Sequence, residues 1–187
     1  MTSDWHLSNT LAAVRQGGVI AYPTEAVWGL GCDPWDLQAV QQIWQLKQRP
    51  WHKGLIVVAS RWQHIQPLIA HLNDEQIQRL RNTWPGPNTW LLPDDENWVP
   101  QWIKGQHESV AVRISAHPLV ERLCDALGGP IVSTSANPAS LAPAKTRLKL
   151  RQYFGESLDY TLPGNLGASS QPSQVRDLLS NKIIRSA

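Results

Sequence analysis

The sequence predicts a single α/β domain built on a mixed sheet. Three observations lead there. Short apolar runs at 19–22, 55–59, 109–114 and 130–134 alternate with helical patterns. Uninterrupted apolar strands of this kind belong to sheets covered on both faces. Two helical stretches follow one another at 60–82 with no strand between them, and segments 174–178 and 182–185 read as a closing hairpin. A uniform series of βαβ units has no place for either feature, so parallel and antiparallel neighbours must coexist. No linker, repeat or low-complexity tract divides the 187 residues, and one domain is expected over 1–187.

The elements follow from local chemistry. Ser8 is a candidate cap for a helix carrying Leu11, Ala12 and Val14, stopped by Gly17 and Gly18. Val19-Ile20-Ala21-Tyr22 is a buried strand halted by Pro23. Residues 23–34 carry prolines and glycines and read as turns. Asp36 caps a helix to about Leu46, with Leu37, Val40, Ile43 and Trp44 on its apolar face. A loop over 47–53 leads into the strand 55–59. Ser60 and Asn73 are candidate caps for the next two helices, and Trp84-Pro85-Gly86-Pro87 is a hard turn. Residues 89–92 form a strand, 93–108 an acidic surface loop, and 109–114 a strand. A helix over 117–127 ends at Gly128-Gly129, 130–134 is a strand, and Thr146 opens the last helix. The ten tryptophans, against three Tyr and one Phe, are read as the aromatic filling of the core.

Composition removes several function classes. Seventeen Lys+Arg against fifteen Asp+Glu give a net charge of +2, too little for wholesale wrapping of nucleic acid. Cys32 and Cys124 form no disulfide framework and no zinc spacing, and are expected as reduced, near-core thiols of a cytoplasmic protein. The first ten residues lack a basic segment followed by an apolar one, so no signal peptide is expected. No apolar run reaches the roughly 20 residues that span a bilayer, so no membrane association is expected.

Function is expected where charge gathers. Residues 37–73 contain no Asp or Glu but do contain Lys47, Arg49, Lys53 and Arg61. Residues 126–155 are likewise acid-free and carry Lys145, Arg147, Lys149 and Arg151. Each is open to reading as a solvated basic face. Lys47, Arg49 and Lys53, however, fall between a helix and a buried strand, where loops held on rigid elements carry function. Forked guanidinium and point-like ammonium together suit a polyphosphate. A second constellation, Ser133-Thr134-Ser135-Ala136-Asn137, closes the strand at 130–134, where open α/β sheets place ligands. It is also open to reading as a Ser/Asn turn. There is no P-loop, and Gly29-Leu30-Gly31 lacks the third glycine of a dinucleotide fingerprint. His117 and Glu121 stand at i,i+4 but read as a helix start and a surface acid, so no metal site is expected.

Taken together, these segments resemble the YrdC-like family. Residues 21–31 resemble its YPTET-x-YGLG segment, 47–53 its KxRxxxK, and 84–89 its WPGPLT turn. Residues 109–113 match SVAVR, 133–137 the SxN signature, and 172–175 resemble PST(I/V). The six occur in family order and cover nearly the whole chain. The resemblance implies a twisted mixed sheet with flanking helices and a basic concave face. It implies a nucleotidyltransferase that joins L-threonine, bicarbonate and ATP into threonylcarbamoyl-AMP and pyrophosphate. The adenylate would then serve threonylcarbamoyl-transferase proteins (TsaD and its partners), which modify the adenosine beside certain tRNA anticodons. It implies Lys47, Arg49 and Lys53 as catalytic residues on phosphate and carbamate, and Ser109, Ser133, Ser135, Asn137 and Arg185 as ATP contacts. Thr24, Trp28, Arg113 and Ser173 would surround the threonine, and Mg2+ would arrive mainly on the ATP phosphates. Ala26 stands where the family often has a second Thr, and Trp28 where it often has Tyr. Two rival readings remain. One is a module that binds tRNA or double-stranded RNA on a basic face without catalysis. The other is the carbamoyl-adenylate domain of hydrogenase-maturation carbamoyltransferases, whose longer chains carry zinc-finger modules that two cysteines cannot supply.

Overall fold

The computed structural model describes residues 2–169 and 171–186. Helix α1 (Asp4–Arg15) precedes the antiparallel pair β1 (Ile20–Pro23) and β2 (Trp28–Gly31), followed by α2 (Leu37–Lys47) and β3 (Ile56–Ala59). Two short helices, α3 (Gln66–Ile69) and α4 (Asp74–Arg81), lead to β4 (Asn88–Pro93), α5 (Gln101–Lys104), β5 (Ser109–Ile114), α6 (Pro118–Leu127) and β6 (Ile131–Ser135). Helix α7 (Arg147–Phe154), β7 (Tyr160–Thr161), β8 (Gln174–Asp177) and β9 (Ile183–Arg185) complete the order. The described residues form one mixed sheet, ordered β7-β1-β2-β6-β3-β5-β4-β8-β9. β3 and β5 run parallel, whereas β6 is antiparallel to both β2 and β3.

Strand alternation divides the core between the two faces. Val57 and Val132 join a large cluster with Val40 and Ile43 of α2, while Val58 and Ile131 pack with Val14, Val120 and Leu123 of α1 and α6. A third cluster sets Trp28 and Leu30 against Leu150 and Phe154 of α7. Asp36 caps α2 through bonds from the Gln38 and Ala39 amides, and Asn73 and Gln76 form a capping box on α4. The terminal hairpin is present as β8 and β9.

Five expectations change. α1 starts at Asp4, ahead of Ser8, because an acid in the first turn suits the helix N-terminus. The helix expected after Ser60 is a 3₁₀ turn (Trp62–Ile65) followed by the single turn of α3. The turn-rich segment 23–34 conceals β2. Its glycines permit a close approach, since a Cβ on Gly31 would lie 2.5 Å from the Val132 carbonyl oxygen. The acidic loop at 93–108 is anchored by a buried ion pair, Asp94 to Lys104 Nζ at 3.0 Å, with side chains 1% and 2% exposed. Trp98, Val99, Trp102 and Ile103 draw this segment inward. Tryptophan fills the core only in part: Trp28, Trp84 and Trp90 are buried, but Trp5, Trp35 and Trp51 are exposed. Cys32 and Cys124 are buried free thiols. Among the described residues no helix is long and apolar enough to cross a membrane.

Lys104→Met should strand the Asp94 carboxylate in the interior. A stability loss of about 3–5 kcal/mol in urea denaturation is expected. A loss below about 1 kcal/mol would show that water reaches the pair.

Candidate functional site

A cavity of ≈ 350 Å³ opens on the face of the sheet, bordered by residues from β2, β6, β3, β5 and β4 and by Ser169, Gln171, Pro172 and Ser173. Ile56 and Val58 of β3, Ser133 and Ser135 of β6, and Arg113 of β5 all line it. Ile56 pairs with Ser133 and Val58 with Arg113, so these residues project from one face. The site therefore lies across the sheet and not beyond its strand ends. A mixed sheet has no edge shared by all carboxyl ends, which is why that expectation fails here.

Most of the residues expected at the site meet in this cavity: Thr24, Trp28, Arg49, Arg113, Ser133, Ser135, Ser173 and Arg185. The Thr24 hydroxyl donates to the Val27 carbonyl at 2.8 Å, leaving its oxygen free to accept. Ser173 and Thr89 share a hydrogen bond between hydroxyls at 2.8 Å. Arg49 donates from Nε and Nη2 to the Gly54 carbonyl, at 3.2 and 2.9 Å. Arg185 donates to the Ser173 carbonyl at 3.0 Å. Burial lowers the pKa of both guanidinium groups, and for Arg49 the charge of Arg185 adds to it. Two cations thus share this lining, and among the described residues neither is paired with a carboxylate.

The remaining four lie elsewhere. Lys53 and Ser109 border a neighbouring hollow of ≈ 220 Å³ that shares Arg49 and Arg185 with the main cavity. Lys47 is 4% exposed. Its ammonium donates to the Ser135 carbonyl, to the Asn137 carbonyl at 2.9 Å and to Asn137 Oδ1 at 3.4 Å. The loop expected over 47–53 begins one residue later: Lys47 closes α2 and is turned inward, where three acceptors compensate the ammonium for its lost water. Asn137 Oδ1 also accepts from Ser135 Oγ at 2.6 Å, and Nδ2 donates to the Pro138 and Leu141 carbonyls. Its carboxamide is therefore occupied in fixing the turn.

Sequence reasoning passed over Glu25. Its Oε2 accepts from Arg113 Nη2 at 2.5 Å, and its Oε1 from Ser115 Oγ at 2.7 Å and the Ala116 amide at 3.3 Å. Burial acts to raise this carboxyl, but Arg113 and the Ser115 hydroxyl outweigh it and hold it below its ordinary value. The signal was local: a lone acid, Glu25, next to Thr24 after a buried strand. Arg113 Nε is buried with no partner among the described residues.

A family model described as "Telomere recombination" (Sua5/YciO/YrdC) matches residues 12–187. The chain belongs to the Sua5/YciO/YrdC family. A threonylcarbamoyl-AMP synthase of Stutzerimonas stutzeri (strain A1501) is 52% identical over the whole of both chains. One from Pseudomonas aeruginosa (strain UCBPP-PA14) is also 52% identical, again over both full lengths. The fold overlays P. abyssi Sua5 complexed with L-threonine at a TM-score of 0.86 and 28% identity, over 94% of this chain and 51% of that one. This chain thus spans about half the length of that Sua5. E. coli YciO matches at a TM-score of 0.85 and 24% identity, over 98% of this chain and 90% of that one, which speaks for the Sua5/YciO/YrdC fold.

Burial, then the charge of Arg49, brings the Lys47 ammonium down to about 8. Below pH 8 the protonated lysine costs stability, since it is charged in both states and desolvated only when folded. From pH 8 to about 10.5 the folded chain releases this proton before the unfolded chain does, and the cost is relieved. Wild-type stability measured against Lys47→Met should therefore gain roughly 1–3 kcal/mol as pH rises from 7 to 10. A flat or falling difference across a urea series at these pH values would contradict this assignment.

Proposed function

We propose that the chain joins L-threonine, bicarbonate and ATP into threonylcarbamoyl-AMP and pyrophosphate. The observation that carries the reading is a cavity lined by cations of two kinds, one engaged by a carboxylate and two that are not. Arg113, in a lining shared with Thr24 and Ser173, is engaged by Glu25 and keeps a buried Nε with no acceptor among the described residues. Arg49 and Arg185 lie close enough for their charges to interact and have no acid partner among the described residues. The first suits a single carboxylate and the second a polyphosphate. The names of the full-length relatives support the same reading.

The chemistry asks mainly for positioning. The threonine amine combines with bicarbonate, releasing water and leaving a carbamate. A carbamate oxygen attacks the α-phosphorus of ATP, and the bond to the bridging oxygen of the departing pyrophosphate breaks in line. Held anions and fixed cations supply this without a strong protein base. Arg49 and Arg185 would hold the phosphates, with Lys53 and Ser109 at the adjoining hollow; Ser133 and Ser135 would offer hydroxyls to phosphate or nucleotide. Lys47 and Asn137 would act by fixing the backbone of the β6 turn. Among the described residues Glu25 is the one carboxylate lining the cavity, and it is engaged by Arg113. Mg2+ is therefore assigned to the ATP phosphates and their waters. Transferase proteins that receive the adenylate, and contact with tRNA, belong to the same proposal. RNA binding as the sole role predicts salt-sensitive RNA affinity with no pyrophosphate release.

Pyrophosphate release from ATP should require threonine and bicarbonate together, and release that continues with either omitted would refute the reading. Arg49→Ala and Arg185→Ala should each raise the ATP KM about tenfold or more, since a charge-assisted bond is worth about 1.5–3 kcal/mol. Both variants should leave the threonine KM within about twofold.

Selectivity follows from Thr24. Its oxygen is free to accept a bond from the β-hydroxyl of threonine, and Trp28 walls the same cavity. Serine loses one methyl, worth about 1 kcal/mol. Valine leaves Thr24 without its partner, at about 1–3 kcal/mol. Turnover should fall from threonine to serine to valine at saturating ATP and bicarbonate. Valine outpacing serine would overturn this account of the pocket.

A further inference from the structure

Glu25 stands where three walls of the cavity meet. Its carboxylate binds the end of β5, through Arg113 and Ser115. Its backbone belongs to the turn between β1 and β2, beside Thr24. The same backbone holds the third wall: Gly167 N–H donates to the Thr24 carbonyl at 2.9 Å and Ser169 N–H to the Glu25 carbonyl at 3.1 Å. A Cβ on Gly167 would lie 2.9 Å from Glu25 Cα, so this contact admits no side chain. His117 fastens the same segment. Its Nδ1 accepts from the Leu119 amide, which leaves Nε2 protonated and donating to the Asn165 carbonyl at 3.1 Å.

The consequence falls on Arg113. A guanidinium has five donors in a rigid fork. Glu25 engages Nη2 at a single point, and Nε remains buried without an acceptor. A carboxylate gripping the guanidinium side-on would take both Nε and Nη2 and close the fork. Glu25 is kept from that geometry because its other oxygen is tied to Ser115 and Ala116. It braces the arginine without satisfying it.

We propose that Glu25 is the positioning residue of the amino-acid station: it fixes Arg113 so that its remaining donors face the incoming carboxylate. This rests on the proposed function and extends it to a residue that acts through Arg113. The alternative is that Glu25 merely offsets the charge of Arg113. The two roles predict opposite signs. If Glu25 only offsets charge, its removal strengthens the pull on a substrate carboxylate and threonine binds more tightly. If it positions, its removal lets the guanidinium swing and threonine binds more weakly.

The test compares Glu25→Ala and Glu25→Gln with wild type, by steady-state pyrophosphate release and by calorimetric titration of L-threonine and L-threoninamide. Glu25→Ala should raise the threonine KM tenfold or more and leave the ATP KM within twofold. Glu25→Gln keeps the shape and one acceptor oxygen, and should bring the threonine KM to within about threefold of wild type. The preference for threonine over threoninamide should shrink at least tenfold in Glu25→Ala, because threoninamide offers no carboxylate to the fork. Threonine KM unchanged or lowered in Glu25→Ala would overturn the proposal. Equal rises in both KM values with a lower melting temperature, unrescued by Glu25→Gln, would reduce Glu25 to a structural brace and overturn it too. A wild-type protein that neither binds threonine nor releases pyrophosphate would overturn the functional reading itself, and this assignment with it.

Discussion

The burial of one ammonium group organises the site. Lys47 ends α2, and its Nζ reaches the carbonyls at the end of β6. Its own carbonyl accepts from the Ala139 amide at 2.7 Å. One residue thus clamps the 135–139 turn at both its side chain and its backbone. The effect spreads through hydrogen bonds to either side. Ala136 N–H donates to the Trp28 carbonyl at 2.8 Å, and Trp28 N–H to the Ala144 carbonyl at 2.9 Å. Trp28, Ser135 and Pro143 thereby become fixed neighbours on the cavity wall. A buried charge is tolerable only where its donors are met, and carbonyl oxygens meet them here without adding an opposing carboxylate.

Much of the fold was legible because it rests on local rules. The apolar runs marked β1, β3, β5 and β6, and Asp36, Asn73 and Thr146 marked helix starts that the structure keeps. What was hidden depended on contacts distant in sequence. β2 has two glycines in four residues, which offset the strand preference of its tryptophan. It is a strand because Gly31 packs its backbone against Val132, about a hundred residues away. The Asp94–Lys104 pair was hidden for a related reason: charge in a sequence signals surface, and only the enclosing apolar residues reveal that both groups are inside.

The site divides in the same way. Arg49, Arg113 and Arg185 could be picked out as donors, and Ser133 and Ser135 as a polar pair at alternate positions of one strand. The loop of basic residues, however, is not one functional unit. Lys47 is directed inward, Arg49 faces the cavity and Lys53 the adjoining hollow. The end of a helix separates Lys47 from its neighbours, and Gln48 at φ +49° turns the chain between them. Spacing in sequence gave the residue types; the change of backbone direction decided which groups share a surface.

The three arginines are held by different means, and that difference carries the chemistry. Arg49 and Arg185 are fixed by backbone carbonyls, which orient a guanidinium while leaving its full charge in place. Their positive charges oppose one another on a half-buried wall, where burial first and then the charge of Arg185 lower the pKa of Arg49. That repulsion is relieved only by an anion, and more completely by one with several charges. Arg113 instead meets a carboxylate and is already half neutralised. A further singly charged carboxylate completes its coordination, whereas a polyphosphate there would meet the negative charge of Glu25. On the proposed function, the two cations Arg49 and Arg185 favour the nucleotide and the half-neutralised Arg113 favours the amino acid, so that one cavity sorts two anions by valence before shape is considered.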